Sequence, residues 1–410
     1  MKGADIRVAP DTSQRNEAGG DGHGLLHGFK AIELGGIAGQ MCGRVLTDLG
    51  VDVIKVEDPD GDPVRTLEPV IKGQSLKFTF LNSGKKSVVL DHRADAGREA
   101  LHSLASEVDL VIVSSSNSVL EAWDLDLDRL HEELPELVIV SVTGFGREGP
   151  FADFAYQDIL GMAMGGLMYV SGDPNGSPVT APETQASYFA GVFAAQGAML
   201  ALYRRETDPL RRGALVDVTA QQALASIEQL IRIYGRQGRV PVRTGSQHKH
   251  VAPARVYPTK DGHVSLFVTD QHWSSFIETW PDHPPELDDP SLNATQERMA
   301  RLDTIDKHVR EYTGRYASEE FVERMVAAGV PCTPVNSLGE FLSDAQTEYR
   351  RLLGKVNQPG LGEVLQISFP PLLNGHRVEP RPAPRLGEHT KQILEGLGAR
   401  AGGSVREIET

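Results

Sequence analysis

The fold is decided by residues 30–57, which read KAIELGGIAGQMCGRVLTDLGVDVIKVE. The apolar runs at 30–34 and 51–56 predict two short buried strands. Between them, a glycine-rich turn leads into a helical stretch at 40–49. Strand, helix and strand in this order form a β-α-β unit, in which the two strands pair in parallel.

The same alternation continues along the next hundred residues. Apolar segments at 87–90, 109–113 and 137–143 predict further strands, and residues 91–106 and 119–133 predict helices between them. Strands that are apolar throughout are typical of a parallel sheet covered by helices on both faces. The sequence therefore predicts an α/β fold.

The rest of the chain is more mixed. Residues 158–168 and 186–204 predict two apolar helices, the second rich in Ala and Gly, and residues 256–268 predict a hairpin around Lys260-Asp261-Gly262. The remaining predictions are a strand leading into a helix at 215–225, a loop at 238–254 and helices within 271–328. A strand at 331–335 and an amphipathic helix at 386–397 follow. A chain of 410 residues with 40% apolar residues has room for two domains.

Composition excludes several classes of function. The net charge is −15, which disfavours nucleic acids and anionic membranes as partners. The two cysteines, Cys42 and Cys332, predict neither a disulfide framework nor a thiolate metal site. Residues 1–22 are polar and glycine-rich, which predicts a disordered tail. No secretory signal or membrane span is expected, so the predicted location is the cytoplasm.

The glycine turn at 35–39 leaves three interpretations open. Glu57 follows at a distance that suits the ribose-binding acid of a dinucleotide site, although the glycine spacing differs from G-x-G-x-x-G. A plain strand-to-helix turn is the second. The third is a ligand whose phosphates bind backbone N–H groups at the helix start.

Five sequence blocks resemble the class III CoA-transferases, the CaiB/BaiF type. They read CGRVLTDLGVDVIKVE (42–57), Gly61-Asp62-Pro63 with Arg65, LNSGKKS (81–87), GFGREGP (144–150) and APRLGEHT (383–390). The likeness covers roughly residues 26 to 398. Each block is modestly specific alone, but their shared order makes the resemblance strong.

The resemblance implies a fold and a chemistry. The fold is a large Rossmann-like domain (23–215), a smaller α+β domain (216–340) and a C-terminal segment (341–410) that returns to the large domain, with two subunits in an interlocked dimer. In the implied chemistry, an aspartate attacks an acyl-CoA thioester and forms a mixed anhydride. CoA thiolate then gives an aspartyl-CoA thioester, from which the acceptor carboxylate takes CoA. Coenzyme A is the substrate carrier, and no covalently bound cofactor is implied.

The expected aspartate is missing from this sequence. In the family it lies four residues before a glycine at the start of the small-residue helix, and here Ser187 occupies that position ahead of Gly191. A serine without a neighbouring base is a poor nucleophile. Glu183, Asp158 or a water molecule could replace the carboxylate.

The resemblance also implies CoA-binding residues. Ile37, Ala38 and Gly39 match backbone contacts to the nucleotide, and Lys85 matches a CoA-contacting lysine, although a solvated surface lysine is an equal alternative. Ser114 opens a stretch, 114–118, that lacks the aromatic residue and the proline with which the family contacts adenine, and Ala122 matches a basic position. The CoA site is therefore expected to be weakened.

Two other readings are disfavoured. The racemase branch of the family uses a histidine and an aspartate, which correspond here to Gln157 and Ser187. His248 and His250 stand two residues apart without neighbouring cysteines or carboxylates, so no metal site is expected.

The resemblance thus predicts one half of a heteromeric CoA-transferase. Its partner would be a homologous catalytic subunit, as in the family member that moves CoA from succinyl-CoA to benzylsuccinate in aromatic compound degradation. The alternative is a self-sufficient CoA-ester enzyme that uses another carboxylate or water. A racemase and an NAD-dependent oxidoreductase are less favoured functions than these two.

Overall fold

The computed structural model describes residues 24–182, 184–227, 230–238 and 240–401. The predicted tail at 1–22 lies outside them. The strands are β1 (Lys30–Gly35), β2 (Asp52–Glu57), β3 (Val70–Ile71), β4 (Gln74–Ser75), β5 (Lys86–Val89), β6 (Leu110–Ser114), β7 (Val138–Thr143), β8 (Ala214–Thr219), β9 (Ala254–Pro258), β10 (His263–Phe267), β11 (Cys332–Pro334), β12 (Leu353–Gln358) and β13 (Gly362–Ile367).

The α-helices follow the same order along the chain. They are α1 (Ile37–Asp48), α2 (Leu76–Leu81), α3 (Asp95–Ser106), α4 (Asn117–Ala122), α5 (Leu127–Glu133), α6 (Asp158–Met164), α7 (Gln185–Thr207), α8 (Ala220–Ile227), α9 (Leu230–Gln237), α10 (Asp270–Glu278), α11 (Thr295–Ala300), α12 (Leu302–Thr313), α13 (Ser318–Ala327), α14 (Leu338–Leu342), α15 (Ala345–Tyr349) and α16 (Thr390–Ala401). Two compact units divide these elements. The first holds the described residues up to Ala155, Ser187–Ala220 and those from Gly354 onward; the second holds Tyr156–Ala186 and Gln221–Leu353.

A six-stranded sheet forms the centre of the first unit. Its order is β5-β2-β1-β6-β7-β8, and each neighbouring pair is parallel. The strand order reverses beside β1, because β2 lies on one side of it and β6 on the other. The predicted α/β class is confirmed, and so is the return of the C-terminal segment to this unit.

The two faces of the sheet differ in chemistry. On one face, Ile32 and Leu34 of β1 join an apolar core with Leu101 of α3 and Leu130 of α5. Side chains alternate along a strand, so Glu33 points to the opposite face, beneath α1. A Cβ built on Gly43 of α1 would lie 1.9 Å from Glu33 Oε2. The face under α1 therefore carries buried charge.

Helix α7 packs closely on the α1 face because it is built from small residues. A Cβ on Gly191 would lie 2.6 Å from the Ala38 carbonyl oxygen, and one on Gly197 would lie 2.7 Å from Val216. By length and composition, α7 could also cross a membrane, whereas no membrane span was expected from the sequence. Half of its most apolar stretch is buried inside the structure.

The edge strand β5 is covered by the C-terminal segment. Ser87 N donates to His389 Nδ1 at 3.2 Å, His389 N donates to the Ser87 carbonyl at 2.9 Å, and Val89 N donates to Thr390 Oγ1 at 3.0 Å. The backbone groups that an edge strand would otherwise expose are thereby satisfied.

The second unit has its own core. The predicted hairpin is β9 and β10, and β11 extends it to a three-stranded antiparallel sheet. Helices α10, α12 and α13 cover the sheet with buried Phe276, Tyr312 and Phe321.

Several helix predictions were wrong in extent. The helix predicted at 386–397 is α16, which begins at Thr390 and ends at Ala401. Residues 119–133 form two helices, α4 and α5, because the chain turns at Asp124, whose φ is +51°. The helix predicted at 158–168 ends at Met164. The domain boundaries at 215 and 340 and the interlocked dimer stay predictions.

Candidate functional site

The turn from β1 into α1 lies where the strand order reverses, at the carboxyl ends of β1 and β6. Open parallel sheets bind ligands at this place. Gly36 N donates to the Ser114 carbonyl at 2.7 Å, which joins the turn to the end of β6. Gly35 has φ +94°, and a Cβ on Gly39 would lie 2.7 Å from Ser114 Cβ, so the close approach needs glycine at both positions.

The first turn of α1 presents unpaired backbone donors. The first intrahelical bond is Gln40 N to the Gly36 carbonyl at 3.0 Å, and no side chain caps the helix. The N–H groups of Ile37, Ala38 and Gly39 therefore have no intrahelical acceptor. Together with the helix dipole they attract an anion. Ser114 lies beside them, so the structure brings together four of the five predicted CoA-binding residues.

Beneath this turn lies a closed hydrogen-bonded ring of six side chains, which we term the buried ring. Its members come from β1, β2, α1 and the segments that follow β2 and α2, and none is more than 8% exposed. In order around the ring they are Glu33, Lys55, Asp62, Gln40, Asn82 and Lys85.

The two lysines join the carboxylates of the buried ring. Lys55 Nζ lies 3.3 Å from Glu33 Oε1 and 2.7 Å from Asp62 Oδ2. Lys85 Nζ lies 2.6 Å from Glu33 Oε2. Two ammonium groups thus balance two carboxylates in a space that water does not reach.

The two amides close the buried ring. Gln40 Nε2 donates to Asp62 Oδ2 at 3.0 Å, and Asn82 Nδ2 donates to Gln40 Oε1 at 2.9 Å. Lys85 Nζ donates to Asn82 Oδ1 at 3.1 Å and also to the Gln40 carbonyl at 2.8 Å. Gln40 follows Gly39 directly in sequence, so the buried ring is connected to the first turn of α1 through Gln40.

Burial and ion pairing set the pKa values of the ring. Burial alone would lower the pKa of Lys55, but the carboxylates of Asp62, Glu33 and Glu57 outweigh it and raise that pKa. Burial would raise the pKa of Asp62, but Lys55 lowers it. For Lys85, burial prevails over the attraction of Glu33 and lowers the pKa to about 8.

Only one of the two sequence interpretations of Lys85 is contradicted by the structure. Its side chain is 0% exposed, so the reading as a solvated surface lysine was wrong. Its three N–H donors all bind protein acceptors, namely Glu33, the Gln40 carbonyl and Asn82. A direct contact from Lys85 to CoA stays a prediction, and a phosphate would have to displace one of these acceptors to make it.

Glu57 cannot act as the ribose-binding acid of a dinucleotide site. Arg65 binds both of its oxygens, at 2.6 and 2.7 Å, and Ser87 Oγ donates to Oε1 at 2.6 Å. The Asp62 N–H also donates to Oε2, at 3.2 Å. This carboxylate joins the end of β2 to its neighbours and has no free oxygen for a ligand, which removes the dinucleotide interpretation of the glycine turn.

Ser187 lies in the first turn of α7 and is 6% exposed. Gly191, one turn further on, packs against Ala38 of α1. Tyr188 packs in the same cluster as Ile37, with its ring 6.2 Å from that of Phe80. The start of α7 is thus held against the first turn of α1, and the residue placed there is an alcohol.

Two carboxylates, Asp158 and Glu183, were considered as substitutes for the missing aspartate, and the structure describes only the first. Asp158 begins α6, and its Oδ2 accepts a hydrogen bond from Ala186 N at 3.2 Å, so it caps the start of α7. Gln157 precedes it at the N-cap of α6. Glu183 lies outside the described residues.

The structure also locates the histidine pair that was considered as a metal site. His248 and His250 are exposed, with ring centres 6.2 Å apart. Among the residues that the structure describes, a different group, Asp58, Asp91 and His92, has three ligand atoms close enough for one ion. There His92 Nδ1 lies 2.5 Å from Asp58 Oδ1, and Arg93 binds Asp91, so the side chains already bind one another and Arg93.

The buried ring was missed in the sequence analysis, although a signal was present. Glu33 and Lys55 are charged residues at inward positions of two apolar strands, and such positions are seldom charged unless the groups pair. Pairing these two residues would have located the ring. Gln40 and Asn82 carried no comparable signal.

Comparisons with known proteins show which family the chain belongs to. The sequence model described as CoA-transferase family III matches residues 26–390. The succinyl-CoA–D-citramalate CoA-transferase of Chloroflexus aurantiacus is 32% identical over 91% of this chain and 94% of its own length. The succinyl-CoA:(R)-benzylsuccinate CoA-transferase subunit BbsE of Thauera aromatica is 29% identical over 90% and 93%. The crystal structure of a CAIB/BAIF family protein from Brucella suis has a TM-score of 0.81 at 28% identity, covering 92% of this chain and 100% of that one.

Proposed function

Since the chain belongs to CoA-transferase family III, we propose that it is the non-catalytic subunit of a heteromeric CoA-transferase. A homologous partner subunit would supply the nucleophilic aspartate. The complex would move CoA from succinyl-CoA to a carboxylic acid, with benzylsuccinate as the first acceptor to test. Relatives named for succinyl-CoA, and one named as a subunit for benzylsuccinate, support this choice.

One observation carries the proposal, namely the hydroxyl of Ser187 where the family has a carboxylate. CoA transfer through the enzyme needs an acyl carrier that is reactive enough to pass on both the acyl group and CoA. A carboxylate provides this as a mixed anhydride, whereas an acyl-serine is an ordinary ester. The stretch from 183 to 191 contains no histidine that could act as a base. Asp158 is already engaged as the cap of Ala186.

The binding half of the site supports a retained role with CoA. The N–H groups of Ile37, Ala38 and Gly39 would hold a phosphate of CoA, with Ser114 beside them. No aromatic residue lies in 114–118, so stacking on adenine from that stretch is absent. We therefore expect this chain to bind CoA weakly.

The test compares the purified chain with the complex. Incubated alone with succinyl-CoA and (R)-benzylsuccinate, the chain should form no benzylsuccinyl-CoA by mass spectrometry. Activity should appear when a homologous chain with Asp at the position of Ser187 is added. Hydroxylamine trapping during turnover should place the acyl group on the partner's aspartate, with no adduct on this chain.

Transfer by the lone chain would contradict the proposal. In that case Asp158→Asn, matched with Asp173→Asn on an exposed loop, would show whether Asp158 takes the role of the carboxylate. Ser187→Asp gives a further measurement, since activity gained by the lone chain would mean that its CoA site is stronger than we propose.

A further inference from the structure

The first turn of α1 is fixed by hydrogen bonds that lead to the charged residues of the buried ring. Lys85 donates to the Gln40 carbonyl, and the Gln40 side chain donates to the Gly35 carbonyl at 3.0 Å and to Asp62. The turn that carries the three free N–H groups is thus fixed at Gly35 before it and at Gln40 after it. Both attachments lead to the buried ring.

We propose that Lys85 is a positioning residue for CoA binding, which holds the first turn of α1 through Gln40 without touching the ligand. This inference rests on the proposed function, because the ligand is the CoA of that site. It departs from the direct contact implied by family resemblance, since the Lys85 side chain is fully buried and its three donors are taken.

The geometry requires all three protons of the ammonium. Lys85 Nζ faces three acceptors, and a neutral amine has two N–H donors and a lone pair. On deprotonation, one acceptor among Glu33, Asn82 and the Gln40 carbonyl loses its bond. Asn82 is fixed on its other side, because its Nδ2 donates to Gln40 Oε1 and to the Phe78 carbonyl at 3.1 Å. Loss of the proton therefore loosens Gln40, leaves Glu33 held by Lys55 alone, or breaks the bond to Asn82, which itself donates to Gln40.

Some of the charged groups around Lys85 favour its protonated form, and others favour its neutral form. Glu33 from β1 favours the ammonium, and Lys55 from β2 opposes it. Cys42, from α1, stays a neutral thiol because burial raises its pKa. Asp48, also on α1, interacts with Lys85 and is paired with Arg44 at 2.7 Å. Since the pKa of Lys85 lies near 8, CoA affinity should fall as pH rises through that value.

The experiment measures CoA binding to the full chain by calorimetry between pH 6.5 and 9.5. We expect the dissociation constant of the unmodified chain to rise up to about tenfold, the effect of losing one hydrogen bond of about 1.4 kcal/mol. Lys85→Met should bind weakly at every pH, with a flat profile. Lys86→Met is the matched control, because Lys86 is the next residue and pairs with Asp52 at the surface.

A second variant separates positioning from contact. Asn82 is fully buried and cannot reach a ligand, so Asn82→Ala should weaken CoA binding if the ring positions the turn. If Lys85→Met weakens binding, lowers its salt dependence by one charge and Asn82→Ala has no effect, Lys85 touches the ligand and the inference is overturned. The double variant Glu33→Gln/Lys85→Met, which removes both charges, serves if Lys85→Met does not fold.

Hydrogen exchange distinguishes failure of this inference from failure of the proposed function. Protection of the amides at 40–43 should fall in Lys85→Met relative to those at 198–202 in α7. If protection falls and no form of the chain binds CoA, the CoA site proposed above fails while the support of the turn by Lys85 stands. If CoA binds and neither Lys85→Met nor Asn82→Ala changes its affinity, the positioning role is wrong.

Discussion

Under the proposed function, Ser187 is a small change with a large chemical effect. Replacing a carboxylate by an alcohol leaves the helix start intact, since serine at this position is buried without disturbing the packing of Gly191 on Ala38. What is lost is the ability to form an anhydride. The residue therefore separates the structural role of α7 from its chemical role.

Removing the Ser187 hydroxyl should leave catalysis by the complex unchanged. For Ser187→Ala we expect kcat/KM within about twofold of the unmodified complex, because an interaction absent from the transition state contributes nothing to the rate. The matched change is Asp→Ala at the same position of the partner, which should abolish transfer. A loss of tenfold or more with Ser187→Ala would instead show that the hydroxyl takes part in the reaction.

At the scale of elements, the strands of the sheet were predicted, whereas the buried ring was missed. Strands β1, β2, β6 and β7 were found within one or two residues, because each is a short apolar run between polar turns. The break at Asp124 was missed because a left-handed residue leaves little trace in periodicity.

Lys85 shows why the candidate site was only partly predictable. Ile37, Ala38, Gly39 and Ser114 meet because parallel strands end at one edge, and this follows from strand order. The burial of Lys85 depends on its pairing with Glu33, which is 52 residues away in sequence. Long-range pairing of this kind cannot be read from a local pattern.

The contact between the C-terminal segment and β5 leads to a second prediction, which concerns the stability of this edge strand. Thr390→Val removes the acceptor of the Val89 N–H while keeping the shape of the side chain. An edge amide left without a partner should lower the free energy of unfolding by about 1 kcal/mol, measured by urea denaturation. Thr207→Val is the control, because its exposed hydroxyl only donates to carbonyls of its own helix. Equal effects of the two changes would mean that Thr390 does not protect the strand.

At the scale of the whole molecule, each of the two units has an apolar core of its own. Ile32, Leu101 and Val111 belong to one core, and Phe276, Tyr312 and Phe321 belong to the other. A cavity made in one core acts first on the contacts of that core.

Phe276→Ala tests whether the cores are independent. Phe276 is 0% exposed, and we expect the change to cost about 3–5 kcal/mol. Hydrogen exchange followed by mass spectrometry should show faster exchange in β9 and β10 and unchanged protection in β1 and β6. Val326→Ala is the control, since Val326 is 62% exposed. Equal loss of protection in both units would show that they unfold as one.

The return of the C-terminal segment to the first unit has a consequence for synthesis on the ribosome. The six strands are complete once β8 has emerged, but residues 387–390, which cover β5, follow the end of β8 by about 170 residues. At about 5–20 residues per second, those roughly 170 residues take on the order of 9–34 s to translate. Throughout that interval the nascent sheet has an open edge that could pair with another nascent chain. Chaperone contact or slow codons in this interval would therefore influence the yield of folded protein.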